Sequence, residues 1–127
     1  GSGADIVVWE KARGAGGRMS TNRQDGLGGV RADMGAPYLS LDGRDPDCSA
    51  VASMLTGAGV CADVPPELLS GTAERPSGGG WRHLAGLEGG VNDALKKIFD
   101  EAKAEAHFDH RLGSLDERGG RWGAKLL

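Results

Sequence analysis

The sequence predicts an α/β fold, and three features carry that prediction. A continuous apolar run, Ile6 to Val8, stands near the amino terminus, as in strands whose two faces are covered in a parallel sheet. Apolar side chains recur with a helical period over residues 90–106. Alternating residues around a Gly119-Gly120 turn then predict a hairpin over residues 107–127.

The composition bounds the class of protein. The 127 residues suit one domain, and 23 of them are glycine, well above the usual ~7%. A net charge of -3 with scattered basic residues argues against a nucleic-acid interface. No apolar stretch approaches the ~20 residues of a membrane span, and no secretory leader is recognisable. We expect a loop-rich intracellular protein, cytoplasmic or organellar.

The segment from Ile6 to Thr21, IVVWEKARGAGGRMST, carries the most specific pattern. Glu10 ends the predicted strand, where a dinucleotide-binding fold holds a ribose by its hydroxyls. Gly17 and the glycines before it let the backbone approach a ligand, and Arg18 can bind a pyrophosphate. We interpret the segment as part of an FAD/NAD(P)-binding Rossmann-like domain. The glycine fingerprint of that fold lies about 20 residues before its acid, whereas nine residues precede Glu10. The domain is therefore expected to be incomplete.

Two further glycine motifs could approach a ligand. In Asp33 to Tyr38, DMGAPY, the Gly-Ala pair could let the backbone pass a flat ring that the tyrosine borders. A strand with a simple bend explains the same residues. In Gly86 to Val91, GLEGGV, the start of the predicted helix could receive an anion. A glycine turn that merely enters the helix is an equal alternative.

The other elements follow from apolar spacing and turn residues. The helix over residues 90–106 has an apolar stripe made of Val91, Leu95, Ile98, Phe99 and Ala102. The remaining predicted elements, in chain order, are a loop over 10–29, extended chain over 30–41 interrupted at 35–37, a helix over 47–56 capped by Asp47, a strand over 60–64, a turn-rich linker over 70–80, an ambiguous segment over 81–87, and strands over 107–115 and 121–127.

Other chemistries find little support in the sequence. Cys48 and Cys61 are expected to be small buried apolar residues rather than a disulfide or part of a zinc site. His107 and His110 lie three apart on an apparent strand, so their side chains should point to opposite faces. We therefore predict no metal site, and the serines lack the nucleophile-elbow context of a hydrolase.

Several stretches resemble one family of flavoproteins. VVWEKARGAGGRMST and ADMGAPYLS resemble, with similar spacing, the second strand and following segment of renalase-type proteins, which are FAD-dependent oxidoreductases of the amine-oxidase-like group. GGWRHLAGLEGGVNDALKKIF resembles a later helix-entering segment of that family, and AHFDHRLGSLDERGGRWGAKL resembles a hairpin that passes the adenine. Residues 42–78 match poorly.

The resemblance implies residue roles and a division of the chain. Glu10 would hold the adenosine ribose, Arg18 would face the FAD phosphates, Pro37 and Tyr38 would lie near the flavin, and Leu112 would contact the adenine region. Residues 1–41 would form part of the FAD-binding domain. Residues 42–80 would be a poorly matched helix and linker. Residues 81–127 would supply a helix and a hairpin that returns to that domain.

The resemblance also implies an activity, with alternatives. Renalase-type members bind FAD without a covalent link, oxidise reduced nicotinamides, and pass electrons to oxygen; an amine-like donor is also considered for the parent of this chain. The present chain, as a fragment, is expected to bind FAD weakly or not at all and to be inactive alone. The alternative is a non-catalytic structural or interaction subunit, with a protein partner at an open strand edge near residues 4–9. An unrelated glycine-rich α/β domain is a third interpretation.

Overall fold

The fold is mixed α/β, as the sequence predicts. A computed structural model describes residues 5–24, 28–69 and 80–127. In chain order its elements are β1 (Val7–Trp9), β2 (Thr21–Gln24), β3 (Val30–Asp33), β4 (Leu39–Asp42), α1 (Pro46–Gly57), β5 (Cys61–Asp63), β6 (Trp81–Gly86), α2 (Val91–Ala102), β7 (Glu105–His107), β8 (Leu112–Arg118) and β9 (Arg121–Leu126), with 3₁₀ turns at Gly17–Met19 and Pro66–Leu68. The predicted linker over 70–80 lies outside the described residues except for Gly80.

The core forms where both helices meet one antiparallel sheet. The sheet has the order β4-β6-β5, so the ambiguous segment over 81–87 is its central strand. Helix α1 packs against β4 and β5, and α2 packs against β6. The buried apolar residues that cluster in this core are Ala52, Leu55, Cys61, Leu84 and Ala94. The sheet and helices thus bury a small core in the middle of the chain.

Helix α1 begins one residue earlier than the sequence suggests. The carboxylate of Asp45 accepts the amides of Asp47 and Cys48 at 2.8 and 3.0 Å, so Asp45, and not Asp47, is the N-cap. Pro46 then occupies the first helical position, which needs no amide donor. The helix ends at Gly57, and Gly59 has a φ of +69°, so the predicted glycine stop is confirmed.

Strand β1 pairs in parallel with β7, with Val7 opposite Glu105 and Trp9 opposite His107. The prediction of a parallel strand is confirmed, but the expectation that both faces are covered is wrong here. Val7 and Trp9 are 47% and 45% exposed. Among the described residues, β7 is the one strand that pairs with β1, so the other edge of β1 is open. The apolar run thus makes a strand without a covering layer.

The predicted loop over 10–29 is wrong in its second half. Residues 21–24 form β2, which pairs antiparallel with β3 from Thr21 opposite Asp33 to Gln24 opposite Val30. The sequence of β2 is polar throughout, so no apolar alternation reveals it. The predicted interruption of residues 30–41 is confirmed, because β3 ends at Asp33 and β4 begins at Leu39.

The last third of the chain departs from the predicted boundaries. Helix α2 ends at Ala102 rather than 106, because Lys103 adopts a left-handed φ of +50° and the chain then enters β7. A second left-handed residue, Asp109 with φ +58°, separates β7 from β8. The Gly119-Gly120 turn is confirmed, with φ values of +59° and +78°, and joins β8 to β9.

Candidate functional site

The candidate site is the glycine-rich loop, residues 11–18, which follows β1. Glu10 lies at the carboxyl end of β1, where its amide donates to the carbonyl of His107 at 2.9 Å and continues the parallel pairing. The amide of His110 donates to the Glu10 carbonyl at 2.9 Å. The Glu10 carboxylate accepts the amide of Ala12 at 2.8 Å through Oε1. An acid therefore stands at the entrance of the loop with one oxygen engaged locally.

In the described structure, the glycine-rich loop uses most of its carbonyls as acceptors but leaves the amides of residues 13–17 free. Five of its carbonyls accept hydrogen bonds from the protein; they belong to Ala12, Ala15, Gly16, Gly17 and Arg18, and the distances range from 2.6 to 3.2 Å. Within the described part of the chain, the amides of residues 13–17 donate to no protein acceptor. Consecutive free amides in a turning backbone make an anion-binding concavity.

Glycine is required at the centre of this loop. Gly16 has a φ of +133° and Gly17 a φ of +46°, conformations that side chains disfavour. A Cβ on Gly16 would also collide with the side-chain amide of Asn92. The two glycines let the chain enter the 3₁₀ turn while it lies against the start of α2.

The structure brings the two sequence motifs together. The amide of Ala36 donates to the carbonyl of Arg18 at 2.8 Å, and Met34 donates to Ser20 at 3.0 Å. A Cβ on Gly35 would collide with the Arg18 carbonyl. The small residues of the second motif therefore allow close contact with the end of the glycine-rich loop.

The side chains predicted to hold a cofactor lie in different surroundings. Arg18 is exposed and, among the described residues, its guanidinium makes no ion pair or hydrogen bond. Pro37 is exposed, whereas Tyr38 stands edge-on to His83 with ring centroids 5.5 Å apart. Leu112 opens β8 and is 44% exposed. It lies two residues beyond His110, whose amide binds Glu10.

An internal carboxylate occupies the start of α2. The amide of Val91 donates to Asp33 at 3.0 Å (Oδ1) and 3.2 Å (Oδ2), and the hydroxyl of Thr21 donates to Oδ1 at 2.6 Å. Asp33 thus caps a helix from a neighbouring strand. The expectation that this helix start could receive an external anion is wrong, because the carboxylate of Asp33 already occupies it.

Two arginines join the same hairpin to the turn before α2. Arg31 contacts the carbonyl of Glu88, and Arg23 donates to Gly89 at 3.3 Å and to Asp93 at 3.4 Å. Arg23 lies two residues from Thr21 on β2, and Arg31 lies two residues from Asp33 on β3. All four side chains are therefore on one face of the hairpin, and that face meets α2. The sequence analysis missed this face, and the charged residues Arg31 and Asp33 on either side of Ala32 are the signal that could have revealed its β3 side.

Among the described residues, the remaining reactive side chains form no second site. Burial, and secondarily the charge of Asp33, raises the pKa of the Cys61 thiol, while Cys48 is half-buried; both are free. The expectation that His107 and His110 point apart is wrong, since their rings are 5.6 Å apart across the left-handed turn. Across 5–24, 28–69 and 80–127, no three His, Cys, Asp or Glu side chains are grouped to hold a metal.

One comparison with known proteins bears on this region. Residues 1–55 match the family model described as an NAD(P)-binding Rossmann-like domain, a stretch that runs from β1 through the glycine-rich loop into α1. No curated protein matches the chain significantly. In the described ranges, no helix combines the length and the apolar character needed to cross a membrane. The fold class is α/β with a Rossmann-like amino-terminal region, of the type found in FAD/NAD(P) oxidoreductases.

Proposed function

We propose that the chain contributes the adenosine-diphosphate side of the cofactor site in an FAD-dependent oxidoreductase of the renalase type. The observation that carries the proposal is the glycine-rich loop itself. Its carbonyls are used by the protein, its amides over 13–17 are free in the described structure, and a carboxylate and a guanidinium flank it. This set matches a ligand that carries a ribose next to a pyrophosphate.

Glu10 is assigned to the ribose. Its Oε1 accepts the Ala12 amide at 2.8 Å, which orients the carboxylate, and its second oxygen has no donor among the described residues. That oxygen can accept a ribose hydroxyl. A hydrogen bond to a charged group contributes about 1.5–3 kcal/mol when well aligned.

Arg18 and Gly17 are assigned to the phosphates. The guanidinium can form a paired, charge-assisted contact with phosphate oxygens, and the free backbone amides add neutral donors. Pro37 and Tyr38 are assigned to the flavin side and Leu112 to the adenine. The edge contact with His83 restrains the phenol ring of Tyr38, which supports the flavin-side assignment. The proximity of β8 to Glu10 along the backbone supports the assignment of Leu112 to the adenine.

The redox chemistry would belong to the cofactor. Bound FAD would supply the transfer of hydride from a reduced nicotinamide or amine-like donor and of electrons to oxygen. The chain's own residues bind and orient the adenosine end. We propose that the chain alone binds FAD weakly and is inactive, because Arg18 lies at an exposed surface where solvent and salt screen its charge.

The experiment is a titration of the purified chain with FAD, followed by flavin fluorescence and visible absorbance, with ADP as a competitor. Arg18→Ala should weaken binding about tenfold, which corresponds to about 1.4 kcal/mol. Arg121→Ala removes an exposed arginine of the hairpin and should leave binding unchanged. Glu10→Gln and the exposed Glu117→Gln form a second matched pair. A folded chain that binds neither FAD nor ADP contradicts the proposal.

A second candidate is a non-catalytic interaction subunit, and the exposed strand β1 favours it. Ile6, Val7 and Trp9 are 44–47% exposed beside an edge that no described strand pairs with. A partner that adds a strand near residues 4–9 would cover them. Val7→Lys should then abolish a complex recovered from the source cells, whereas Leu68→Lys, at another exposed apolar position, should not. An unrelated α/β domain is disfavoured by the family match over residues 1–55.

A further inference from the structure

A buried amide side chain links helix α2 to the glycine-rich loop. Asn92 lies in the first turn of α2 and is 6% exposed, the most buried polar side chain in the described part of the protein. Its Nδ2 donates to the carbonyl of Ala15 at 2.8 Å. A buried amide is unfavourable unless it is hydrogen-bonded, so the buried side chain of Asn92 needs this contact.

The backbone of Asn92 is itself held from the hairpin. Its amide lies 3.4 Å from the hydroxyl of Thr21, and that hydroxyl donates to Asp33, which caps the preceding residue of the helix. A Cβ on Gly90 would collide with both Thr21 and Asp33, so the helix start is pressed against the hairpin. The donor of Asn92 is thereby fixed relative to two elements that lie outside the loop.

We infer that Asn92 is a positioning residue that aims the free amides of the glycine-rich loop. A trans peptide is planar, with its carbonyl and its N–H pointing in opposite directions. The peptide that joins Ala15 to Gly16 is trans, since the chain contains no described cis bond. Because Asn92 holds the Ala15 carbonyl, the Gly16 N–H points away from α2 and cannot bind the helix. Asn92 thus presents a donor to whatever anion the loop receives.

The chemistry of this position favours asparagine. An aspartate has acceptor oxygens only, so it would face the Ala15 carbonyl with like partial charge. An alanine would leave the half-buried carbonyl of Ala15 without its donor. The inference rests on the proposed function for the identity of the ligand, but the arrangement of the loop in the free protein is independent of it.

The test separates the two ideas with two measurements. Backbone ¹⁵N order parameters for residues 13–18 are measured in the free chain, and ADP binding is measured by calorimetry. In Asn92→Asp we expect the loop order parameters to fall from about 0.85 to below about 0.6 and the Kd for ADP to rise about tenfold. The control is Asn22→Asp, which makes the same chemical change at an exposed position of β2 and should alter neither measurement.

Each outcome decides the inference. If both Asn92→Asp and Asn92→Ala keep the wild-type loop order parameters, Asn92 does not position the loop and the inference is wrong. If both variants fail to fold, as judged by circular dichroism, Asn92 is a structural core residue and the inference is again wrong. If the loop loses order but wild-type chain binds no ADP, the positioning role stands and the proposed function fails.

Discussion

Replacing Asp33 by alanine should destabilise the protein more than any exposed charge change would. The carboxylate accepts the Val91 amide at 3.0 and 3.2 Å and the Thr21 hydroxyl at 2.6 Å. Its removal leaves the first amide of α2 and a half-buried hydroxyl without their acceptor. The perturbation therefore tests whether an acid on one strand holds the start of a distant helix.

The expected size follows from these contacts. Loss of a helix cap costs about 0.5–2 kcal/mol, and hydrogen bonds to a charged group contribute about 1.5–3 kcal/mol, without being additive. We expect Asp33→Ala to lower the free energy of unfolding by about 2–3 kcal/mol. With an unfolding entropy of about 2.1 cal/mol/K per residue, this lowers the Tm of the 127-residue chain by about 7–11 °C. Asp33→Asn keeps an acceptor oxygen and should lose about 1 kcal/mol.

The assay is thermal and urea unfolding followed by far-ultraviolet circular dichroism. The control is Asp47→Asn, because Asp47 lies in the first turn of α1 and its carboxylate accepts no hydrogen bond from the described residues. That change should cost no more than about 0.5 kcal/mol. The reasoning is refuted if Asp33→Ala melts within about 2 °C of the Asp47→Asn variant.

Three further predictions concern the core and the titratable groups. Leu84→Ala should lower the free energy of unfolding by about 3–5 kcal/mol, because Leu84 on the central strand β6 is fully buried in the core; a loss below about 1 kcal/mol in urea unfolding would contradict this core. At pH 8 the native chain should show one fast thiol, Cys48, and one slow thiol, Cys61, whose pKa is raised by burial; two equally fast thiols in a disulfide-exchange assay would rule this out. Hydrogen bonds from Arg82 lower the pKa of Asp63. The stabilisation they give is therefore present above the ordinary pKa of ~3.9 and is lost as the pH falls through the lower folded value. Asp63→Asn should reduce the Tm slightly at pH 7 and not at pH 2, and an equal reduction at both pH values would exclude the ion pair as its cause.

Much of the middle and end of the fold could be predicted from local pattern. The helix near residue 50, the strand near residue 62 and the Gly119-Gly120 hairpin follow from caps, apolar spacing and turn residues, which act over a few neighbours. Helix α2 was predicted with the right start and the wrong end. A left-handed residue and the pairing of β7 with β1 end it, and that pairing joins residues about a hundred positions apart.

The polar contacts around the candidate site could not be predicted in this way. Residues 21–24 carry no apolar alternation, yet they form β2 because Asp33 and two arginines bind one face of the hairpin to α2. Asn92 lies beside the predicted apolar stripe, yet its polar side chain is buried. Hydrogen-bond partners leave no periodic trace in the sequence when they lie 58 and 77 positions apart, as the Asp33–Val91 and Asn92–Ala15 pairs do.

The sequence by itself determined the α/β class, the strand that ends in Glu10, the glycines of the loop and the arginine that follows them. These depend on residue type and short spacing, because glycine permits the turn and an acid at a strand end needs no distant partner. Only the tertiary structure decided that Asp33 occupies the start of α2, that β1 lies exposed beside β7, and that the loop carbonyls bind the protein while the amides over 13–17 remain free. Hydrogen bonds are short-ranged in space, so folding alone decides which distant donors and acceptors meet.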